Sequence, residues 1–337
     1  MKFRYNAPWH PLKAACLGNT YGESFFRDVR NTQVREMLQK IARETLEDFD
    51  NIEHTLKSFG VNVIRPQIDS NDTIMNYVDC NSKLTFESTG TYSLIPKPPM
   101  QPRDCQLIVG DTFWSTNKDI DLYTHSGIDV FPGCDSPVQT QFDAPLVTVI
   151  GNHIIVDQQD RPGLAELVAL RFPERKIVPV DIGGHNDAVF APVKPGLLIS
   201  SHYKNCYQDS FPGWEVYHIP TQSWNAMTDW RKNKHTNQYK WWVPDSDNNT
   251  DFSSFVDTWI SHWVGYASET VFDVNMLVID HKHVLVNNYH QGLFECLQKH
   301  GLTPIITPFR HRFFWDGGIH CITSDLYREG DAETYIK

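Results

Sequence analysis

The chain has 337 residues, 40% apolar and 21% charged, which are the proportions of an ordinary globular protein. Its formal net charge of −11 argues against nucleic acid, which needs a basic face; it mildly favours cationic ligands, although solubility alone is the better explanation of such a charge. No apolar run approaches the roughly 20 residues that cross a bilayer, and the opening MKFRYNAPWHPLKAACLG lacks the apolar stretch of a signal peptide, so neither nucleic acid nor membrane is expected as a partner.

The first clear element is a helix over about 32–59. Val34, Met37, Leu38, Ile41, Leu46, Phe49, Ile52 and Leu56 recur at mostly helical spacing, and Gly60 follows as a C-cap. A strand-like VNVIRP comes next. Shorter helices fit Pro162–Phe172 and Gln291–His300.

Between these, one pattern recurs. An aspartate opens an apolar strand, a tight turn follows, and a second apolar strand returns. The copies start at Asp104 (turn Gly110-Asp111), Asp143 (turn Gly151-Asn152), Asp187 (turn Pro195-Gly196) and Asp273 (turn Asp280-His281). The intervals are 39, 44 and 86 residues, and Cys321 comes 48 residues after the last aspartate. A period of roughly 45 residues predicts blades or repeats, with the double interval holding an excursion. Residues 222–263 fill that interval with six of the ten tryptophans and read as a lid, a partner surface or a packed loop. No linker divides the chain, so residues 1–337 are expected to form one domain.

If blades surround an axis, the four aspartates and Cys321 converge on one pocket. The competing reading is that aspartate favours strand entrances as a turn residue. The seven cysteines are odd in number, irregularly spaced and without a CxxC pair, which predicts thiols in a reducing, cytoplasmic setting rather than a disulfide framework. None of the fifteen histidines sits in HExxH, and no metal site is expected.

Three motifs carry the chemistry. In Asp316-Gly-Gly-Ile-His-Cys321, two glycines allow close approach beside a candidate nucleophile. In Gly183-Gly184-His185-Asn186-Asp187, a histidine and an aspartate two apart on an extended chain point to one side, for proton transfer and for gripping a cation. Phe142-Asp143-Ala144 supplies a carboxylate to orient His185. Cysteine, histidine and aspartate together satisfy the logic of nucleophile, base and orienter. A buried core cysteine and a satisfied His–Asp pair are the bland alternatives.

These blocks resemble the glycine amidinotransferase family of guanidino-group-modifying enzymes over nearly the whole chain. WHPLKAACLGNTYG is similar to its first strand, and ETLEDFDNIEHTLKSFGVNVIRP to the helix and strand that follow. PRDCQLIVGD, FDAPLVTVIGNHIIVD, HNDAVFAPVKPGLLIS, VNMLVIDHKHVLVNN and GGIHCITSDLYREG match later blocks in order. The resemblance implies an α/β fold, a five-bladed propeller of ββαβ repeats around a polar pocket.

It also implies an enzyme that moves an amidino group from arginine, or a related guanidino donor, to an amine acceptor. By motif, Cys321 is the nucleophile, His185 the general acid/base and Asp143 its orienter. Asp104 and Asp187 bind the guanidinium, and Lys204, Asp273 and Ser324 complete the substrate site. Lys204 replaces the family's carboxylate-binding arginine, and Asp273 stands where a serine is expected. No cofactor is implied, and the oligomeric state, a homodimer included, stays open. The carboxylates around Cys321 are expected to raise its pKa in the empty enzyme. The runners-up are a guanidino hydrolase of the arginine deiminase or dihydrolase type and a non-catalytic binding propeller.

Overall fold

The computed structural model describes residues 2–77, 95–116, 142–159, 161–201, 206–219, 249–264 and 273–337. It is an α/β structure in which small mixed sheets repeat one plan. An antiparallel hairpin is followed by a helix, and a third strand joins the hairpin in parallel.

The plan is complete in three consecutive sheets. β5 (Val147–Ile150) pairs antiparallel with β6 (His153–Asp157), and β6 pairs parallel with β7 (Lys176–Val180) after the helix Leu164–Arg171. β8 (Phe190–Lys194), β9 (Leu197–Ser200) and β10 (Glu215–His218) repeat it around the short helix Tyr207–Ser210. β11 (Leu277–Val278), β12 (His283–Val286) and β13 (Thr303–Ile306) repeat it around the helix Gln291–Lys299. β3 (Gln106–Val109) and β4 (Thr112–Ser115) form a hairpin of the same kind.

The fifth sheet joins the two ends of the chain. β1 (Leu12–Leu17) pairs antiparallel with β14 (Thr323–Arg328), with Leu17 opposite Thr323, and parallel with β2 (Asn62–Ile64). The hairpins fall where the turn residues predict. Gly110, Gly151 and Gly196 carry φ values of 58°, 59° and 84°, a region that glycine enters without a Cβ penalty.

The long helix spans Thr32–Ser58. Asn31 caps it by accepting from the backbone N–H groups of Gln33 and Val34, a contact worth about 1 kcal/mol. Its buried face includes Leu38, Ile41, Phe49, Ile52 and Leu56, each contributing roughly 1.5–3 kcal/mol on transfer from water.

That helix also anchors the segment leading into Cys321. Arg310 donates to Asp48 through its backbone N–H (2.7 Å) and Nε (2.8 Å), His311 lies 2.7 Å from Glu44, and Trp315 Nε1 donates to Thr45 Oγ1 at 2.8 Å. Of the tryptophan-rich stretch, residues 220–248 lie outside the described residues. Its tail is packed structure: the helix Thr250–Phe255 leads to Trp263, which is fully buried against Tyr21, Phe25 and Trp315. Among the described residues no helix is long and apolar enough to cross a membrane.

Candidate active site

Asp104, Asp143, His185 and Asp187 lie at the entrances of the hairpins, one step earlier than the sequence pattern places them. Asp104 ends the 3-10 turn Pro102–Asp104, Asp143 precedes the turn Ala144–Leu146, and Asp187 lies within Asn186–Ala188 with His185 just before it. Cys321 stands two residues ahead of β14, in a turn rather than on the strand. The proposed extended-chain geometry of His185 and Asp187 is therefore replaced by a 3-10 turn, and the two side chains take different close partners.

Cys321 is 5% exposed. Its thiol lies 3.5 Å from Asp187 Oδ2 and accepts from Asn275 Nδ2 at 3.1 Å, while its backbone N–H donates to Asn275 Oδ1 at 3.0 Å. Asn275 Nδ2 also donates to the backbone oxygen of Asp187 at 3.1 Å, tying the entrance of β8 to that of β14. The two glycines before Cys321 make room for neighbouring side chains. A Cβ on Gly318 would stand 2.7 Å from Asn275 Cβ, and one on Gly317 would stand 2.8 Å from Gln101 Nε2 and 3.1 Å from Cys321 Cβ.

Asp187 Oδ2 also accepts from His320 Nδ1 at 2.8 Å. Burial pushes the Asp187 pKa up, but the hydrogen bond from His320, with the charges of His320, His185 and Arg103, outweighs burial and holds it at about 2. Burial and the Arg103 guanidinium lower the His320 pKa. Asp187 is thus an anion that accepts from His320 Nδ1.

His185 belongs to a second group. Its Nε2 lies 3.4 Å from Asp143 Oδ2 and its Nδ1 3.9 Å from Asp104 Oδ1. Burial disfavours the imidazolium, yet the Asp143 hydrogen bond and the charges of Asp104, Asp187 and Asp143 lift its pKa to about 9. The same hydrogen bond lowers Asp143. Burial raises Asp104 to about 6, although His185 and Lys97 oppose it. Burial raises the Cys321 thiol well above its usual value, with Asp187 and Asp104 adding to the effect and the Gly318 amide and Asn275 opposing it. That is the direction expected from the sequence.

Asp104 Oδ1 and Asp187 Oδ1 are both buried without a hydrogen-bond partner. An orphaned buried acceptor costs roughly 1–3 kcal/mol. Two of them beside a buried thiol form a cradle for a planar cation with several N–H groups.

Two of the remaining predicted residues have other partners or surroundings. Asp273 is buried and accepts from Asn288 Nδ2 at 3.0 Å; its segment reaches Cys321 through Asn275, two residues on. Ser324 lies on β14 and lines a cavity of about 60 Å³ that also touches Asp187 and His320 but not Cys321, His185, Asp104 or Asp143. Lys204 lies outside the described residues.

Several participants were not predicted. Asn275 shares the FDVNML block with Asp273, and His320 adjoins Cys321; their positions beside named residues were the available signal. Arg103 adjoins Asp104 and clamps the Cys321 turn. Its Nε donates to the Thr323 oxygen at 2.9 Å and its Nη2 to Asp325 Oδ2 at 3.0 Å. Arg328 Nη2 completes the buried group at 3.1 Å from Asp325 Oδ1.

The five described cysteines are free thiols. Among the described residues Glu215, Cys296 and His300 form a group with metal-ligand geometry. It belongs to the start of β10 and the region of the helix Gln291–Lys299, and Lys299 already lies 3.2 Å from Glu215.

A buried thiol, flanking carboxylates and a paired histidine thus lie on the turns that enter these repeated strands. No family model matches the chain. Individual relatives match it almost end to end. The L-arginine:L-lysine amidinotransferase of Pseudomonas savastanoi pv. phaseolicola is 23% identical, over 98% of this chain and 90% of that one. The mitochondrial glycine amidinotransferase of Xenopus laevis is 21% identical, over 98% and 80%. The solved inosamine-phosphate amidinotransferase of Streptomyces griseus shares the fold, with a TM-score of 0.64, 18% identity and 99% of each chain covered. The chain is thus similar in sequence to amidinotransferases over nearly its whole length.

Proposed function

We propose that the protein transfers an amidino group from arginine, or a closely related guanidino donor, to an amine through a covalent bond to Cys321. The observation that carries this reading is the pair of orphaned carboxylate oxygens, Asp104 Oδ1 and Asp187 Oδ1, beside the buried Cys321 thiol. The repeated sheets, closed by the pairing of β1 with β14, support a single five-bladed propeller domain whose hairpin entrances face one pocket. The free thiols support a reducing, cytoplasmic setting.

The guanidinium binds between Asp104 and Asp187. Its positive charge offsets the two carboxylates and lets Cys321 lose its proton to solvent, His185 being already protonated. The thiolate attacks the guanidinium carbon and forms a neutral tetrahedral adduct. The imidazolium of His185, held by Asp143, protonates the substituted nitrogen. The C–N bond breaks, the amine leaves, and a cationic amidino group remains on sulfur. The acceptor amine then attacks the same carbon, neutral His185 takes its proton, and the C–S bond breaks to regenerate thiolate and imidazolium.

The test is product analysis with arginine, with and without amines. The reading requires ornithine with an amine present, parallel double-reciprocal lines, and an amidino adduct on the peptide carrying Cys321. Citrulline or ammonia formed without an amine assigns the site to a hydrolase instead. Cys321→Ala should abolish turnover and keep donor binding; retained turnover would remove the covalent route.

A further inference from the structure

The segment before Asp104 reads Ile95-Pro-Lys97-Pro-Pro-Met-Gln101-Pro-Arg103. Four prolines in nine positions limit its backbone freedom. It is also fastened along its length. The Ile95 oxygen accepts from Trp263 Nε1 at 3.3 Å, and His262 Nε2 lies 2.9 Å from it. The Pro96 oxygen accepts from the Tyr21 hydroxyl at 3.1 Å, and the Pro99 oxygen accepts from the backbone N–H of Asn19 at 2.9 Å. Met100 lies so close to Gly18 that a Cβ there would overlap the Met100 carbonyl.

This strap carries one ammonium group. Lys97 Nζ donates to Gln101 Oε1 at 2.6 Å. Gln101 is fixed through Nε2, which donates to the Trp315 oxygen at 3.0 Å and the Asp316 oxygen at 2.8 Å, and it packs on Gly317 next to Cys321. An ammonium has three N–H donors, and among the described residues Lys97 uses one of them and makes no ion pair. Its electrostatic neighbours are Asp104, Cys321 and Cys105; burial lowers its pKa and those three oppose the shift. Among the described residues Arg103 is a further side-chain cation near Cys321, and Asp325 already holds it.

An amino-acid substrate brings a carboxylate as well as a cationic group. Asp104, Asp143 and Asp187 repel that carboxylate, so it needs a cation that no protein carboxylate holds. We propose that Lys97 is the anchor for a substrate carboxylate, its free N–H donors held at the wall of the Cys321–Asp104 site by the fastened proline strap. The inference rests on the transferase reading for the identity of its ligands. In a two-step transfer the carboxylate can belong to the donor, to the acceptor, or to each in turn.

The experiment compares wild type, Lys97→Met, Lys97→Arg and Lys204→Met. Arginine is set against agmatine as donor, and glycine against methylamine and lysine against cadaverine as acceptors. A charge-assisted contact predicts that Lys97→Met raises KM by roughly 10–100-fold for the carboxylate-bearing partner, changes the decarboxylated partner by about twofold or less, and leaves kcat within a few-fold. Lys97→Arg should recover part of the loss. A loss confined to arginine assigns the donor carboxylate; one confined to the amino-acid acceptors assigns the acceptor. Equal losses with and without the carboxylate, or a carboxylate-specific loss in Lys204→Met and not in Lys97→Met, would overturn the proposal.

The same ligand pairs are titrated by calorimetry against Cys321→Ser and Cys321→Ser/Lys97→Met, which reads binding without turnover. A carboxylate preference that Lys97→Met abolishes supports the anchor even if wild type forms no ornithine, a result that would sink only the transferase reading. A preference unchanged by Lys97→Met, or none in the parent, sinks the anchor.

Discussion

Cys321 and Asp187 are in contact, sulfur to Oδ2 at 3.5 Å, with Asp187 ionised and the thiol raised well above its usual pKa. A carboxylate beside the reacting sulfur disfavours its thiolate until a cation arrives. Under the proposed transfer, the substrate is part of the device that activates the nucleophile.

Removing that carboxylate charge should reverse the effect. Asp187→Asn is expected to lower the pH at which Cys321 is alkylated in the empty enzyme and to weaken donor binding by roughly tenfold or more, the loss of a charged hydrogen bond. Alkylation rates against pH, with the other cysteines replaced, would decide it; an unchanged or higher midpoint speaks against Asp187 as the controlling charge.

Proton release offers a second measurement. At pH 7.5 the empty site holds His185 as imidazolium, with its pKa near 9, and Cys321 as thiol. The reacting complex needs imidazolium and thiolate, so binding a non-reactive guanidinium should release close to one proton, roughly the whole charge of the thiolate it creates. Calorimetry in buffers of different ionisation enthalpy measures this number. Release should vanish in Cys321→Ser; no release in wild type would mean that the thiolate already exists.

The acid limb of donor capture should come from Asp104. Its pKa is raised to about 6, so the carboxylate is charged above that pH and protonated below it. kcat/KM for the donor is expected to fall by about tenfold per pH unit below pH 6, as expected for one essential ionisation. A profile flat to pH 5 would remove Asp104 from the guanidinium cradle.

His185 has a stability signature of the opposite sense. Its folded pKa of about 9 exceeds the reference of about 6.5, so the stabilisation is complete below about 6.5 and disappears as pH rises through 9. His185→Gln should flatten the fall of the thermal midpoint between those pH values. An identical slope in both proteins would contradict the raised pKa.

Gly318→Ala tests the turn itself. The new Cβ would meet Asn275 Cβ and Oδ1 at 2.7 Å each, displacing the side chain that binds the Cys321 sulfur and N–H. Overpacking of this kind costs about 1–3 kcal/mol of stability. Activity should fall further than that loss explains, measured as kcat well below the denaturation midpoint; full kcat would show that Asn275 is dispensable for positioning.

Local chemistry made much of this protein legible in its sequence. The spacing of Leu38, Ile41, Phe49 and Ile52 determined the long helix, and Gly110, Gly151 and Gly196 determined the hairpins, because these depend on neighbours within a few residues. The aspartates and Cys321 were visible as a register of hairpin entrances. Their contacts were not, because the partners are distant in the chain: 46 residues separate Asn275 from Cys321, 134 separate Asp187 from Cys321, and 222 separate Arg103 from Asp325. A periodic pattern says which end of a hairpin faces a neighbour, but not which side chains meet there. Only the tertiary structure decided that His320 holds Asp187, that Asn275 holds the sulfur, and that Gln101 of the proline strap holds the Asp316 turn before Cys321, since each contact joins segments far apart in the chain.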